Sequence, residues 1–270
     1  RMIFTVKNDF MISALLVNPD RCMSVTISSN EKNCNPIYHG IKDRCTRESL
    51  LCRRTSMKEM LSSHDYMHSI LSLHSKWGIG HMTEHFLPDD LFHEILDLLK
   101  SSNDELFFDE DHLCYLHSMT QRTLAESEID LFIHCQALSD LVVDGNLDFY
   151  DQKVHLTLSQ RKKYFNHLLH VFETNPNLTF KLAKEPMILD FKYQTNQCIF
   201  LSDQFSYIRL NTYNWANNLA IINHPNLKHM FDRFFNAVWN DATSELLSDY
   251  SEIHSFFIHI IQQINILSEI

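Results

Sequence analysis

The chain has 270 residues, of which 44% are hydrophobic and 21% are charged, and its formal net charge is −11. This composition is ordinary for a globular protein of one large domain or two. The negative charge disfavours broad, nonspecific DNA binding, because such binding requires clustered cations. Only 4 glycines are present, and neither GxGxxG nor GxxxxGK[ST] occurs, which argues against a Rossmann fold or a P-loop.

Cysteine usage and hydropathy bear on the compartment. The seven cysteines form an odd number and no CxxC pair, so reduced thiols in a cytosolic protein are the simplest account. No run of about 18 apolar residues occurs, so we expect no membrane span. The first residues do not read as a signal peptide, and a start at Arg1 favours a fragment with its natural N-terminus upstream. We therefore expect a cytoplasmic protein.

We predict two regions: an N-terminal mixed region over residues 1–85, and an α+β domain over residues 86–270. In the first, residues 25–27 have the composition of a strand, and residues 41–58 carry six basic side chains against two acidic ones. Such a basic stretch could contact an anionic partner, but a solvated helix face or an internal partner for acidic segments is the favoured interpretation.

Five of the 17 histidines fall within residues 62–85: His64, His68, His74, His81 and His85. Residues 81–85 read HMTEH, which matches the inverted zinc-protease pattern HxxEH, with Glu84 as the base. Gly78 and Gly80 before it and Pro88 after it leave room for barely two helical turns, and no third ligand can be singled out among 34 acidic residues. We therefore predict no catalytic residue, no metal and no cofactor. A metal-dependent hydrolase that uses histidines 64–85 remains the alternative.

Residues 88–176 read mainly as helices. Pro88 opens a helix with acidic residues in its first turn, and a second helix covers much of residues 110–126. Residues 129–134 predict a buried strand, followed by a short helix that ends near Gly145. Thr157 and Gln160 form a T-x-x-Q capping box, so a helix starts there, with Leu168 in its core stripe.

Residues 177–239 have the clearest pattern in the chain. Alternating apolar residues predict strands at residues 178–182 and 187–194, and shorter apolar runs predict strands at 198–201, 207–210 and 219–222. The short polar turns between them favour an antiparallel meander. Pro225 then starts a helix with one apolar stripe.

The expected fold is therefore α+β and helix-rich, with a small, mainly antiparallel sheet covered by amphipathic helices. The aromatic stripe after Pro225 supplies the candidate ligand-binding residues: Phe231, Phe234, Phe235 and Trp239. Plain core packing is the favoured alternative for this stripe, and we expect Phe234 in the core. The last 20 residues predict a strongly amphipathic helix, which could cover the sheet or pair with a second chain.

Several stretches resemble the sensor or effector region that follows a helix-turn-helix domain in regulators of low-GC Gram-positive bacteria. The resemblance is carried by residues 156–159 with Arg161, by residues 200–203, and by residues 223–225 followed by Phe234, Phe235 and Trp239. It covers roughly residues 129–241, and no helix-turn-helix is evident in the chain. It implies a non-enzymatic regulatory domain detached from its DNA-binding part.

The resulting hypothesis is a non-enzymatic regulatory or ligand-sensing domain of a cytosolic bacterial protein, part of a transcriptional regulator. The expected partners are a second copy of the chain in a homodimer and a small-molecule or peptide effector. We expect no membrane contact, and no direct nucleic-acid contact is evident in this chain.

Overall fold

The computed structural model describes residues 2–18, 21–47, 52–63, 65–101, 109–184, 197–210, 218–240 and 246–269. Contacts divide the chain into two compact units, Arg1–Leu51 and Cys52–Ile270. This division differs from the predicted one at residue 85, because the strand His74–Ile79 is hydrogen-bonded on both sides to strands of the second unit. None of the described helices is long and apolar enough to cross a membrane.

The first unit contains an antiparallel three-stranded sheet and one helix. Its elements are β1 (Met2–Thr5), β2 (Met11–Asn18), β3 (Arg21–Ser28) and α1 (Glu31–Arg47). The strand predicted at residues 25–27 is confirmed as part of β3. A tight turn carries Asn8 at φ 62, a left-handed conformation that asparagine tolerates better than most residues.

The second unit combines ten strands and eight α-helices in its described part. The strands are β4 (Cys52–Thr55), β5 (His74–Ile79), β6 (Glu128–His134), β7 (Asn146–Phe149), β8 (Gln152–His155), β9 (Leu178–Ala183), β10 (Cys198–Ser202), β11 (Tyr207–Arg209), β12 (Leu219–Ile222) and β13 (Leu246–Leu247). The helices are α2 (Met57–Ser62), α3 (Asp65–Ile70), α4 (Asp89–Ser101), α5 (Glu110–Glu126), α6 (Cys135–Asp144), α7 (Leu158–Thr174), α8 (Pro225–Trp239) and α9 (Tyr250–Ser268).

Eight of these strands form one sheet in the order β13-β9-β6-β5-β10-β11-β12-β4, and β7 and β8 form a separate hairpin. The pairs β5–β6 and β6–β9 are parallel, and the other pairs are antiparallel. The α+β class is confirmed. The sheet is larger than expected and has a parallel centre, because helices α4 and α5, and then α6 and α7, carry the chain back between parallel strands.

The predicted meander is confirmed for β10, β11 and β12, which pair in sequence order. The strand at residues 178–182 is confirmed as β9, but β9 pairs in parallel with β6 rather than with the next strand along the chain. The strand predicted at residues 187–194 lies outside the described residues.

The helix signals in the sequence correspond to real helix ends. The Thr157–Gln160 capping box is formed with both reciprocal hydrogen bonds, and Pro225 occupies the first turn of α8. Gly145 ends α6 at φ 67, a left-handed conformation for which glycine carries no steric cost. The Arg161 side chain packs over this glycine and donates to the carbonyls of Val142 and Leu156, so it supplies a hydrogen-bond partner to one of the last carbonyls of α6.

Two of the core predictions have different outcomes. Leu168 is fully buried, as expected, whereas Phe234 is 38% exposed and its assignment to the core is wrong. On α8 the stripe that packs on the sheet passes through Leu227, Phe231 and Phe235, and Phe234 lies beside it. The buried aromatic ring of this helix is therefore that of Phe235.

Candidate functional site

Residues 81–85 do not form the helix that a zinc-protease motif requires. The chain leaves β5 at Ile79 and makes a single 3-10 turn, Glu84–Phe86. His81 and His85 are buried and contact different partners, whereas His68 and His74 are exposed. His64 lies outside the described residues. Within the part of the chain that the structure describes, no group of three or more histidine, cysteine or acidic side chains could hold a metal ion.

The same segment supplies a different feature, which we call the buried charge cluster: Arg209, Glu84, Asp148, His81 and Cys198. Arg209 on β11 is completely buried, and Glu84 and Asp148 are nearly so. The Arg209 Nη1 donates to both Glu84 carboxylate oxygens at 2.9 Å. Its Nε donates to Asp148 Oδ2 at 2.9 Å, and its Nη2 lies 2.7 Å from Asp148 Oδ1. One guanidinium thus bridges two carboxylates.

At neutral pH both carboxylates of the cluster are ionised and His81 is protonated. Burial raises the pKa of Asp148, but Arg209 and His81 lower it more, to about 2. Burial likewise raises the pKa of Glu84, but Arg209 and His85 bring it below its ordinary value. Burial lowers the pKa of His81, but Cys198 and Asp148 raise it more, to about 10. Arg209 and the protonated His81 therefore face the Glu84 and Asp148 carboxylates, as expected for charges removed from water, and Asp151 Oδ1 lies 3.9 Å from Arg209 Nε.

His81 is held between a carboxylate and a thiol. Its Nε2 lies 3.3 Å from Asp148 Oδ2, and its Nδ1 lies 3.4 Å from the Sγ of Cys198 on β10. Cys198 Sγ also lies 3.3 Å from the His81 carbonyl oxygen. All three side chains are at least nine-tenths buried.

His85 is the neutral counterpart of His81. Its Nδ1 lies 2.8 Å from Thr83 Oγ1, its Nε2 lies 3.3 Å from the Tyr66 hydroxyl, and its ring stacks on Phe200 with centroids 4.8 Å apart. Burial lowers the pKa of His85 to about 4, although Glu84 opposes the shift. The two histidines of the HMTEH segment therefore carry different charges at neutral pH.

The cluster also stabilises an unusual turn. Tyr150 and Asp151 join β7 to β8 with φ 47 and φ 68, the conformation of a two-residue primed turn, which normally uses Asn or Gly. Glu84 Oε2 accepts from the Tyr150 backbone N–H at 3.3 Å, and Asp148 Oδ1 accepts from that of Asp151 at 3.0 Å. These bonds offset part of the cost of a left-handed tyrosine.

A pocket of about 180 Å³ lies beside the cluster, and we call it the strand-end pocket. It opens where β5 and β6 end, between α6 and the β7–β8 hairpin. It is lined by His81, Met82, Ala137, Asp140, Leu141, Asp144, Asn146 and Lys153. His81 is the member that this pocket shares with the buried charge cluster. In open sheets with parallel strands, ligands bind outside the carboxyl ends of those strands, which is where this pocket lies.

The four sequence-predicted site residues lie on α8, away from this pocket. Phe235 is buried against Phe132 and stacks on Trp239 with centroids 5.6 Å apart, and Lys181 Nζ lies 4.3 Å from the centroid of the Trp239 ring. Phe231 is half-buried and Phe234 is exposed. None of the four lines the strand-end pocket. Their role in ligand binding stays a prediction.

The residues of the buried charge cluster carried little signal in the sequence. Glu84 and His81 were singled out, but for zinc chemistry. Asp148 and Arg209 were not singled out, because they lie 64 and 125 positions from Glu84. Arg209 stands within an otherwise apolar run of β11, and a charged residue in a strand that is predicted to be buried is the one signal that could have indicated it.

Comparison with known proteins does not assign the chain to a family. No protein-family model and no curated protein matches the sequence. The solved structure of TrmBL2, described as an archaeal chromatin protein with a novel mode of DNA binding, is similar over 76% of this chain and 59% of its own length, with 7% identity and a TM-score of 0.33. This chain thus spans less than two thirds of TrmBL2, and a TM-score of that size does not establish a shared fold.

Acidification will destabilise the protein through His85. The folded-state pKa is about 4 against an ordinary 6.5, so the unfolded state binds more protons between these values. The free energy of unfolding should therefore fall by about 3 kcal/mol as the pH falls from 6.5 to 4. Urea unfolding at pH 6.5 and at pH 4 measures this change. In the His85→Gln variant the fall should be clearly smaller, and an equal fall in variant and wild type would contradict the assignment.

Proposed function

We propose that the unit Cys52–Ile270 is a non-enzymatic, ligand-sensing regulatory domain of a cytosolic bacterial protein, part of a transcriptional regulator. The observation that carries the ligand-sensing part is the strand-end pocket, with a wall made by His81 of the buried charge cluster. A molecule bound there would touch a side chain that is hydrogen-bonded into the protein interior.

The pocket suits a small zwitterion. Asp140 and Asp144 supply negative charge, Lys153 supplies positive charge, and His81 is protonated because its pKa is about 10. A volume of about 180 Å³ is smaller than the ~300–1,000 Å³ of pockets for drug-sized ligands. The opposite charges across a small space favour a molecule with one ammonium and one carboxylate group, such as a free α-amino acid.

The contacts of His81 provide a route from the pocket to the sheet. A ligand carboxylate near His81 would compete with Asp148 for the imidazolium, and Asp148 is bonded to Arg209 on β11 and to the β7–β8 turn. Ligand binding can therefore bias the position of the hairpin, since a ligand shifts an equilibrium by its different affinity for the two states.

The absence of an enzymatic role is part of the proposal. The groups best suited to acid–base chemistry, Glu84 and Asp148, are each bonded to Arg209 and sealed from solvent, whereas a catalytic acid or base must reach its substrate. The regulatory role is further supported by the resemblance of residues 129–241 to bacterial sensor regions. The alternative of a metal-dependent hydrolase has less support, because His81 and His85 are bonded to separate partners.

An amino-acid binding experiment tests the ligand-sensing proposal. Thermal melting of the wild type against each of the 20 amino acids should identify at least one that raises Tm with rising concentration, as linkage requires. Titration calorimetry of that amino acid should then show binding about two- to fivefold weaker in Asp144→Asn, since an ion pair to this exposed carboxylate is worth about 0.5–1 kcal/mol.

The matched control for this experiment is Asp97→Asn, which removes the same charge from an exposed position on α4 that does not line the pocket. This variant should bind the amino acid as the wild type does. The proposal is contradicted if no amino acid raises the Tm of the wild type, or if Asp144→Asn and Asp97→Asn bind equally well.

The homodimer is a separate proposal, and the structure identifies better variants with which to test it. One side of α9 is used within the chain, because Ile253, Phe257, Ile260 and Ile264 are buried in the core, so a charge at Phe257 would unfold the protein. On the other side, Ile266 is 61% exposed. Sedimentation at micromolar concentration should show a dimer that Ile266→Asp dissociates and that Val143→Asp, at a 72% exposed position on α6, leaves intact. A monomeric wild type would rule this proposal out.

A further inference from the structure

Cys198, His81 and Asp148 form a chain of three groups joined by two short contacts. The His81 ring contacts the Cys198 sulfur through Nδ1 at 3.4 Å and the Asp148 carboxylate through Nε2 at 3.3 Å. A thiol, an imidazole and a carboxylate in this order are the arrangement that activates a nucleophile, with the imidazole as base and the carboxylate as the group that orients it. The function proposed above does not use this arrangement.

The third member of the chain is fixed rigidly. Asp148 is held by two contacts to the Arg209 guanidinium and by the backbone N–H of Asp151. It therefore cannot turn away from His81 without breaking the buried charge cluster. With the imidazole oriented in this way, Cys198 and His81 can share one proton as a thiolate and an imidazolium. The thiolate is the form of cysteine that reacts.

Access to Cys198 limits the reagent to a small molecule. The Cys198 side chain is completely buried, and it contacts the His81 ring, which lines the strand-end pocket. A pocket of about 180 Å³ holds several molecules of the size of water, each of which takes about 30 Å³. Hydrogen peroxide is only about twice as large as water, whereas a peptide or a bulky electrophile does not fit beside His81.

We propose that Cys198 is an oxidation site for small hydroperoxides, activated by His81 and Asp148 and reached through the strand-end pocket. The thiolate sulfur attacks one peroxide oxygen, an S–O bond forms and the O–O bond breaks. The leaving hydroxide takes the proton of the His81 imidazolium and departs as water. The sulfur is oxidised by two electrons to a sulfenic acid, and the peroxide is reduced by the same two electrons. Each thiol reacts once, so the step is a modification and not a turnover.

Oxidation would act on the cluster as well as on the thiol. The sulfenic acid adds an oxygen to a completely buried side chain, and His81 loses the proton that it shared with Asp148 through their contact. The His81 ring is also a wall of the strand-end pocket, so the modification changes the shape and the charge of that pocket. This consequence does not depend on which ligand the pocket binds.

A peroxide pulse on the full chain tests the proposal, with two other cysteines as internal references. Cys135 and Cys114 are both more exposed than Cys198, and burial raises the pKa of each thiol. Folded protein is treated briefly with hydrogen peroxide at pH 6.5, the peroxide is removed with catalase, and the protein is unfolded in urea with dimedone. Mass spectrometry then gives the sulfenic acid at each cysteine. Cys198 should be labelled about tenfold more than Cys135 and Cys114, since its neighbour provides the thiolate.

Two further arms make the result specific to the fold and to His81. When urea precedes the peroxide, the three cysteines should be labelled within about twofold of one another, because the pairing is lost. In His81→Gln, the labelling of Cys198 should fall about tenfold while that of Cys135 stays unchanged. The proposal is overturned if folded wild type labels Cys198 no more than Cys135, a result that needs no variant to fold.

Discussion

A single buried guanidinium holds together segments that lie far apart in the sequence. Arg209 on β11 bonds Glu84 of the 3-10 turn and Asp148 of β7, and none of the three side chains reaches solvent. Removing such charges from water costs several kcal/mol per ion, and the cost is recovered only when the geometry satisfies every partner. The segment after β5, the β7–β8 hairpin and β11 must therefore adopt their positions together.

The remaining features of the site follow from this constraint. With Asp148 fixed, its Oδ2 contacts His81 and helps to keep that ring charged, whereas burial keeps His85 neutral although Glu84 Oε1 lies 3.6 Å from its Nδ1. The fixed carboxylates also hold the glycine-free turn at Tyr150 and Asp151. Of the five side chains in the buried charge cluster, His81 is the one that lines the strand-end pocket.

Local signals in the sequence predicted where individual helices begin and end. The features that depend on pairing between distant segments could not be predicted in this way. The Thr157–Gln160 capping box, Gly145 and Pro225 each act within a few residues, so the helix ends they mark were correct. The parallel centre of the sheet depends on pairing between strands that are separated by two helices, and the ion pair between Glu84 and Arg209 spans 125 positions. No local sequence pattern predicts either feature. The HMTEH match lies in the segment that contributes His81 and Glu84 to the buried charge cluster, and that segment contains a 3-10 turn rather than the helix of a zinc-protease motif. A shift of one residue on α8 separates exposed Phe234 from buried Phe235, which is finer than periodicity resolves.

A double-mutant cycle between Glu84 and Arg209 tests most directly whether the guanidinium is the common constraint. The free energies of unfolding are measured in urea for the wild type, Glu84→Gln, Arg209→Met and the double variant. Each single change leaves a buried charge without its partner. The loss in free energy of unfolding in the double variant should therefore be smaller than the sum of the losses in the two single variants, by about 2 kcal/mol or more. Losses that add to within about 0.5 kcal/mol would show that the two residues act independently, and the account of the cluster would be contradicted.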